Sequence, residues 1–226
     1  MPRALLLDFD GLVLDTETTD YESWRIVYEE HDAVLPRARW VEEIGGDGAG
    51  FHPFRHLCEL VGRELDKQRV DARRREHRQR LFEGLRPLPG VVEWMREARE
   101  SGLVLGIVSS SPRWWVDEHL ERVSLRDHVD FTKTADDVPR VKPDPALYRQ
   151  ALEHAGVDAH EALAVEDSPN GLAAAKAAGL FTVAVPGPMT REGRFDAADL
   201  LLDSLAAMTL AAVVARVGQL ASSSGS

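Results

Sequence analysis

The stretch ALLLDFDG, residues 4–11, decides how this chain folds. A short apolar run, Ala4–Leu7, is followed at once by two aspartates, Asp8 and Asp10. Such a run, ended by polar residues and a glycine, is typical of a buried strand in a parallel sheet. On an extended strand end, residues two apart point to the same side, so both carboxylates would face one space. Gly11 allows the chain to turn sharply after them.

The same arrangement recurs along the chain. Four further apolar runs predict strands at residues 103–108, 162–165, 181–185 and 200–202. Helical patterns lie between most of these runs, at residues 91–100, 112–122, 145–155, 169–178 and 204–217. Strands that alternate with helices predict parallel pairing with right-handed crossovers. We therefore expect an α/β fold with a doubly wound, Rossmann-like parallel sheet.

The connection between the first two runs is unusually long. About ninety residues separate them, and helical patterns occupy residues 18–30, 37–43, 52–61 and 65–85. We expect residues 15–86, the helical insert, to be a cap domain set into a core of residues 1–14 and 87–221. The sequence PLPG at residues 87–90 predicts a stiff return to the core. Residues 222–226 are expected to form a disordered tail.

Composition narrows the class of protein. The 226 residues carry a formal net charge of −11, include one cysteine and are 44% hydrophobic. A globally acidic chain is a poor nucleic-acid binder, and no apolar run approaches the roughly 18 residues of a membrane helix. The N-terminal apolar run is too short for a signal peptide. We expect a cytoplasmic monomer with neither a nucleic-acid nor a membrane partner.

Polar residues follow three of the predicted strands. They are Asp8 and Asp10 after the first run, Ser109 to Ser111 after the second, and Glu166 and Asp167 after the third. In a doubly wound sheet, ligands bind beyond the carboxyl ends of the strands, so these groups should meet at one rim. Carboxylates from two strands predict an oxygen cage for a hard cation, most simply Mg²⁺.

The same residues suggest chemistry at phosphorus. One aspartate of DFDG could attack phosphorus, while the other acts as acid and then as base. Ser109 and the backbone N–H groups after it could donate to phosphoryl oxygens. Lys142 lies in a loop stiffened by Pro143 and Pro145, and it is a candidate for the cation that a phosphoryl group requires.

Four motifs together resemble those of the haloacid dehalogenase superfamily, in order and in spacing. They are DFDGLVLDTE (8–17), VSSS (108–111), KPDPALY (142–148) and EDSPNG (166–171). The resemblance implies that Asp8 forms an aspartyl-phosphate and that Asp10 protonates the leaving oxygen and then activates water. It implies phosphoryl contacts from Ser109, Ser110 and Lys142. It also implies Mg²⁺ bound by Asp8, the backbone carbonyl of Asp10, and Asp167, with Glu166 close by and Asn170 supporting the fourth loop.

Within the superfamily, the chain is similar to the group containing β-phosphoglucomutase and small sugar-phosphate phosphatases. The second aspartate argues against dehalogenation, and the position of the first lysine, Lys67, argues against a phosphonatase. Asp20 and the stretch GGDGAGF (45–51) depart from the mutase pattern. We expect a Mg²⁺-dependent phosphatase acting on small phosphorylated metabolites such as sugar or polyol phosphates. A β-phosphoglucomutase-like mutase is the alternative, and an inactive binding protein is a third possibility.

Several residues in and near the helical insert allow two interpretations. The Gly-rich residues 45–50 could be a flexible connector or a loop that closes over the substrate. His52 and His56 could bind a transition metal with Cys58, although a packing role is the simpler interpretation. Arg55 could contact the substrate, and Trp114 or Trp115 could pack beneath the insert. The basic segment 66–83 could be a solvated helix face or a field that attracts anions.

Overall fold

The computed structural model describes residues 1–42, 44 and 50–223. Its sheet has six strands, hydrogen-bonded in the order β3-β2-β1-β4-β5-β6, and every pair is parallel. They are β1 (Ala4–Leu7), β2 (Val104–Val108), β3 (Phe131–Lys133), β4 (Ala162–Glu166), β5 (Phe181–Ala184) and β6 (Leu200–Leu201). The predicted doubly wound α/β fold is confirmed.

Helices connect the strands. Those of the described residues are α1 (Thr16–Glu29), α2 (Arg37–Val41), α3 (Pro53–Val61), α4 (Lys67–Glu83), α5 (Val91–Glu100), α6 (Arg113–Arg122), α7 (Ala146–Ala155), α8 (Pro169–Ala177) and α9 (Leu210–Ser223). None of them is long and apolar enough to cross a membrane.

The sheet is buried on both faces, as its continuous apolar strands predict. Leu5 and Leu7 of β1 belong to one hydrophobic cluster, which includes Trp94 of α5. Leu6 belongs to a second cluster, which includes Tyr148 of α7. Successive side chains of a strand point to opposite faces, so β1 contributes to both layers of the core.

The register of the central strands determines which residues share the functional rim. Leu7 of β1 lies opposite Ile107 of β2 and Val165 of β4. The next residues along the three strands are therefore neighbours at the carboxyl edge of the sheet. Asp8 and Glu166 are the two carboxylates among them.

A third hydrophobic cluster lies mainly in the helical insert, formed by α1, α3, α4 and the segments between them, together with Met189 of the loop after β5. Its buried members include Trp24, Tyr28, Leu57 and Val70. The chain leaves the core before α1 and returns after α4 at points that are joined directly, because the Leu88 N–H donates to the Val13 carbonyl at 2.9 Å.

Some boundaries differ from the predicted ones. Strand β3 was not predicted, helix α9 begins at Leu210 rather than at residue 204, and it continues to Ser223, two residues into the predicted tail. Residues 205–207 form a short 3-10 turn instead. The Gly-rich stretch at residues 45–49 and the end of the tail at 224–226 lie outside the described residues.

Candidate active site

Lys142 and Asp8 form a buried ion pair at the end of β1. The Lys142 Nζ lies 2.5 Å from Asp8 Oδ1 and donates to the Val108 carbonyl at 2.7 Å. Burial acts to lower the pKa of Lys142, but the carboxylates of Asp8 and Glu166 outweigh it and raise that pKa. The ammonium therefore stays charged inside the protein, where the loop before α7 fixes it.

Glu166 ends β4 and is fully buried. Its Oε1 lies 2.7 Å from Lys142 Nζ and accepts a hydrogen bond from the Tyr148 hydroxyl. Its Oε2 has no hydrogen-bond partner among the described residues. A Cβ at Gly171 would stand 1.8 Å from that oxygen, so the carboxylate occupies the space that the glycine leaves open.

Asp167 lies over the DFDG turn. A Cβ at Gly11 would come within 2.2 Å of Asp167 Oδ2, and Gly11 has a φ of +83°, which also favours glycine. Thr190, in the loop after β5, donates to the same oxygen at 3.4 Å. Ser168 caps α8 by accepting from the Gly171 N–H at 3.1 Å, and Pro169 begins that helix, as the sequence predicts. A strand–helix junction therefore holds the fourth motif in place.

The three buried carboxylates can hold a divalent cation. One oxygen from each of Asp8, Glu166 and Asp167 lies within 4.8 Å of the others. With Lys142 as the neighbouring ammonium, three ionised carboxylates would leave two uncompensated negative charges, which buried groups tolerate poorly without a cation. Burial raises the pKa of Asp8 to about 8, against the opposing effect of Lys142, and burial raises that of Asp167 as well. An oxygen-rich cluster with an unpartnered Glu166 oxygen, doubly negative when its carboxylates are ionised, fits a hard divalent ion.

The Asp10 carboxylate lies beside this cluster and accepts hydrogen bonds from four side chains. Thr16 Oγ1 at 2.6 Å and Trp115 Nε1 at 2.8 Å donate to Oδ1, while Ser111 Oγ at 2.7 Å and Ser109 Oγ at 3.2 Å donate to Oδ2. The second motif therefore contacts the first, because Ser109 and Ser111 both form hydrogen bonds with Asp10. Ser110 is half-buried between them.

A cavity of about 230 Å³ extends from Asp10 toward the helical insert. Asp20 of α1 and Arg78 of α4 lie in its wall, and the Arg78 Nε stands 3.0 Å from an Asp20 oxygen. Glu17 also lines it, and burial together with the carboxylates of Asp10 and Asp20 raises the pKa of Glu17 well above its usual range. The space beside Asp10 is therefore polar and largely acidic.

The structure distinguishes the two tryptophans after the serine loop. Trp115 is 8% exposed, whereas Trp114 is 61% exposed. The Arg78 guanidinium stacks on the Trp115 ring at 4.2 Å from its centroid. Trp115 is thus the one that packs beneath the insert, and it contacts a predicted catalytic group.

Other predicted residues lie farther from the rim or have ordinary partners. Asn170 Nδ2 donates to the Ile44 carbonyl at 2.9 Å and so connects the fourth motif to the insert. His56 stacks on Tyr28, and among the described residues it forms no possible metal group with His52 or Cys58. Arg55 is exposed.

The basic segment is a solvated face with charged partners at several positions. Arg73 pairs with Glu30 and Glu76, and Arg74 pairs with Asp20. These contacts favour the interpretation as a salt-bridged helix face over that of an attracting field.

Sequence reasoning missed three side chains that support the site. Tyr148, Trp115 and Thr190 each contact a motif carboxylate from more than fifteen residues away. Tyr148 is the last residue of the third motif, so the sequence places it near the site. That its hydroxyl donates to Glu166 depends on how α7 packs, which the sequence does not predict. The sequence suggests only a packing role for Trp114 or Trp115.

Comparisons with known proteins agree with this geometry. A family model described as haloacid dehalogenase-like hydrolase matches residues 5–185. The "Putative phosphatase YhcW" of Bacillus subtilis is 44% identical over 211 residues, covering 93% of this chain and 96% of the relative. Hexitol phosphatase B of Escherichia coli is 39% identical over 131 residues, 57% of this chain and 59% of the relative.

Solved structures show the same fold. A "putative beta-phosphoglucomutase" from Thermotoga maritima has a TM-score of 0.75 at 26% identity, covering 91% of this chain and 95% of the other. CbbY from Rhodobacter sphaeroides, solved in complex with phosphate, has a TM-score of 0.70 at 29% identity, covering 91% and 96%.

Proposed function

The chain belongs to the haloacid dehalogenase-like hydrolase family, and from this we propose that it is a Mg²⁺-dependent phosphatase of small phosphorylated metabolites. Sugar or polyol phosphates are the proposed substrates, in keeping with relatives named hexitol phosphatase and phosphorylated carbohydrates phosphatase. The single observation that carries the proposal is the buried cluster of Asp8, Lys142, Glu166 and Asp167 beside Asp10.

In the first proposed step, Asp8 attacks phosphorus and the bond from phosphorus to the leaving oxygen breaks. Asp10 gives its proton to that oxygen, so the product leaves as a neutral alcohol. The phosphoryl group is then an ester of the Asp8 carboxylate. Lys142, held 2.5 Å from Asp8, would neutralise charge on the phosphoryl oxygens, and Ser109 and Ser110 would donate to them.

In the second proposed step, Asp10 takes a proton from water, and the water oxygen attacks phosphorus. The bond between phosphorus and the Asp8 oxygen breaks, which releases phosphate and restores the carboxylate. One residue thus serves both steps, first as acid and then as base. Its four hydrogen bonds, from Thr16, Ser109, Ser111 and Trp115, keep it beside the reacting groups.

The residues that would hold Mg²⁺ are Asp8, Asp167, the backbone carbonyl of Asp10, and Glu166 as an outer ligand. The ion would supply positive charge to the phosphoryl oxygens and to the buried carboxylates. Glu166 also has a second role in this proposal, because its Oε1 holds the Lys142 ammonium.

We infer that the helical insert acts as the cap over this site. Asn170 donates to the Ile44 carbonyl, and Arg78 of α4 reaches Trp115 beside Asp10, so the insert contacts the rim on two sides. A cap of this size suits small substrates, because a protein substrate would have difficulty reaching Asp8.

Phosphate release tests the proposal. The purified protein should release phosphate from p-nitrophenyl phosphate and from members of a sugar and polyol phosphate panel, and EDTA should stop the reaction until Mg²⁺ is restored. Asp8→Asn is the matched control, since it changes one atom of the proposed nucleophile. The proposal fails if no compound is hydrolysed with Mg²⁺ present, or if Asp8→Asn hydrolyses them as fast as the wild type.

A sugar-phosphate mutase is the second candidate, supported by the fold similarity to the Thermotoga maritima protein. Near the position where the mutase pattern has a histidine, however, this chain carries Asp20, whose carboxylate is paired with Arg74 and Arg78. A mutase would interconvert sugar-phosphate isomers and require a bisphosphate activator. Isomer formation without net phosphate release would favour the mutase over the phosphatase.

A further inference from the structure

The contact between Trp115 and Asp10 differs in kind from the other three contacts of that carboxylate. The hydroxyls of Thr16, Ser109 and Ser111 can rotate, and each can donate or accept. The indole N–H can only donate, and its direction is set by the ring. The 2.8 Å bond from Trp115 Nε1 to Asp10 Oδ1 therefore stays defined when substrate engages the serine hydroxyls.

The ring that carries this N–H is enclosed. His119 lies 3.9 Å away between centroids, and Phe82 meets the ring edge-on at 5.3 Å. The Arg78 guanidinium stacks at 4.2 Å from the ring centroid. With 8% of Trp115 exposed, these contacts enclose the indole in the orientation that directs its N–H at Asp10.

Two of these neighbours come from the helical insert. Phe82 and Arg78 lie on α4, and Arg78 is itself paired with Asp20 of α1 at 3.0 Å. The position of the insert is thus connected through one aromatic ring to the orientation of Asp10. Arg78, which belongs to the basic segment of α4, thus lines the cavity beside Asp10.

We propose that Trp115 is a positioning residue for Asp10, and that Arg78 stabilises the indole in the orientation this requires. The inference rests on the proposed function, because it takes Asp10 as the group that protonates the leaving oxygen. Loss of the N–H would leave the Asp10 carboxylate held only by the rotatable hydroxyls of Thr16, Ser109 and Ser111, so fewer molecules would present it correctly to the leaving oxygen.

The choice of leaving group separates positioning from simple structural damage. An alkoxide leaving group needs the proton from Asp10, whereas p-nitrophenolate leaves without it. The quantity to compare is kcat/KM, because it covers the steps up to the release of the leaving group. A structural defect would lower both values alike.

The test is Trp115→Phe, which keeps a buried ring and removes the N–H. We expect kcat/KM to fall by about tenfold for a hexitol 6-phosphate, the effect of one hydrogen bond to a charged group, and by less than about threefold for p-nitrophenyl phosphate. Trp94→Phe is the matched control: it also removes an enclosed indole, but the N–H of that indole donates to the Leu205 and Met208 carbonyls and to no residue of the site. It should lower thermal stability and leave both kcat/KM values unchanged.

Two further variants keep the outcome decisive. Arg78→Met should lower kcat/KM by about threefold for the hexitol phosphate and leave that for p-nitrophenyl phosphate nearly unchanged. This variant gives a result even if Trp115→Phe does not fold. In an Asp10→Asn background, Trp115→Phe should cause no further loss with the hexitol phosphate. Equal losses for both substrates, no loss in either variant, or full additivity with Asp10→Asn would overturn the inference.

Failure of the proposed function has a different signature. If Asp10→Asn itself hydrolyses the hexitol phosphate at the wild-type rate, the acid–base assignment falls, and the Trp115 inference falls with it. If Asp10→Asn is slowed by about 100-fold or more toward that substrate while Trp115→Phe and Arg78→Met match the wild type, only the Trp115 inference falls.

Discussion

Gly171→Ala should damage both the stability and the activity of this protein, although alanine favours helices over glycine. The added Cβ would lie 1.8 Å from Glu166 Oε2 and 2.2 Å from its Cδ, and contacts under 3.0 Å force a displacement. Glu166 must therefore move by more than about 1 Å. Its surroundings are fully buried, and its other oxygen holds the Lys142 ammonium at 2.7 Å.

The expected magnitude follows from these contacts. Overpacking a buried site typically costs about 1–3 kcal/mol, and loosening the pair with Lys142 adds part of the roughly 3–5 kcal/mol of a broken buried ion pair. The higher helix propensity of alanine offsets up to about 1 kcal/mol of this loss. We expect a net loss of about 2–4 kcal/mol in the free energy of unfolding. Since Lys142 also holds Asp8, a misplacement of about 1 Å should lower kcat/KM by about 100-fold.

Urea denaturation and steady-state phosphate release measure the two effects. Gly84→Ala is the control, because Gly84 ends α4 in a helical conformation and a Cβ there would meet no atom closer than 3.9 Å. That variant should be as stable as the wild type, or slightly more so, and fully active. The reasoning is refuted if Gly171→Ala behaves like Gly84→Ala.

Three further outcomes are expected. Asp8→Asn should abolish phosphate release and keep a cooperative thermal transition; turnover within tenfold of the wild type would reject Asp8 as the nucleophile. Asp10→Ala should slow both formation and hydrolysis of the phosphoenzyme by about 10²–10⁴ in rapid-quench experiments, and an unchanged rate in both steps would remove its acid–base role. The metal-free protein should lose stability as pH rises from 6.5 to 8. In that range Asp8, with its pKa raised to about 8, binds a proton when folded and none when unfolded, so Asp8 alone contributes at most about 1.4 kcal/mol per pH unit to the slope. The raised pKa values of Asp167 and Glu17 act in the same direction. Asp8→Asn should reduce this slope and Mg²⁺ should reverse the loss, whereas a metal-free stability that increases over this range would contradict the assignment.

Much of the fold was predictable because burial on both faces makes central strands uniformly apolar. Strand β1 has the predicted bounds, Ala4–Leu7, and β4 extends the predicted run by one residue. Strand β3 escaped prediction because only Phe131 of its three residues is apolar, and as an edge strand it pairs on one side alone.

For the site, the sequence predicts which residues belong together but not how their partners are arranged. Order along the chain and the parallel register bring Asp8, Glu166 and Asp167 to one edge, and Lys142 follows from the third motif. The contacts of Trp115 with Asp10 and of Thr190 with Asp167 span 105 and 23 residues. These contacts depend on the rotation of α6 about its axis and on the conformation of the loop after β5. The hydrophobic periodicity of the sequence predicts neither of them.

The backbone hydrogen bond between Leu88 and Val13 has an evolutionary consequence. The points where the chain leaves the core and rejoins it lie side by side, so the two ends of the inserted segment are held close together. The entropic cost of joining them through a longer segment grows only slowly with its length. The sheet therefore tolerates exchange of that segment for one of another size or shape. New substrate preferences can arise by such replacement, while the residues that handle phosphorus stay as they are.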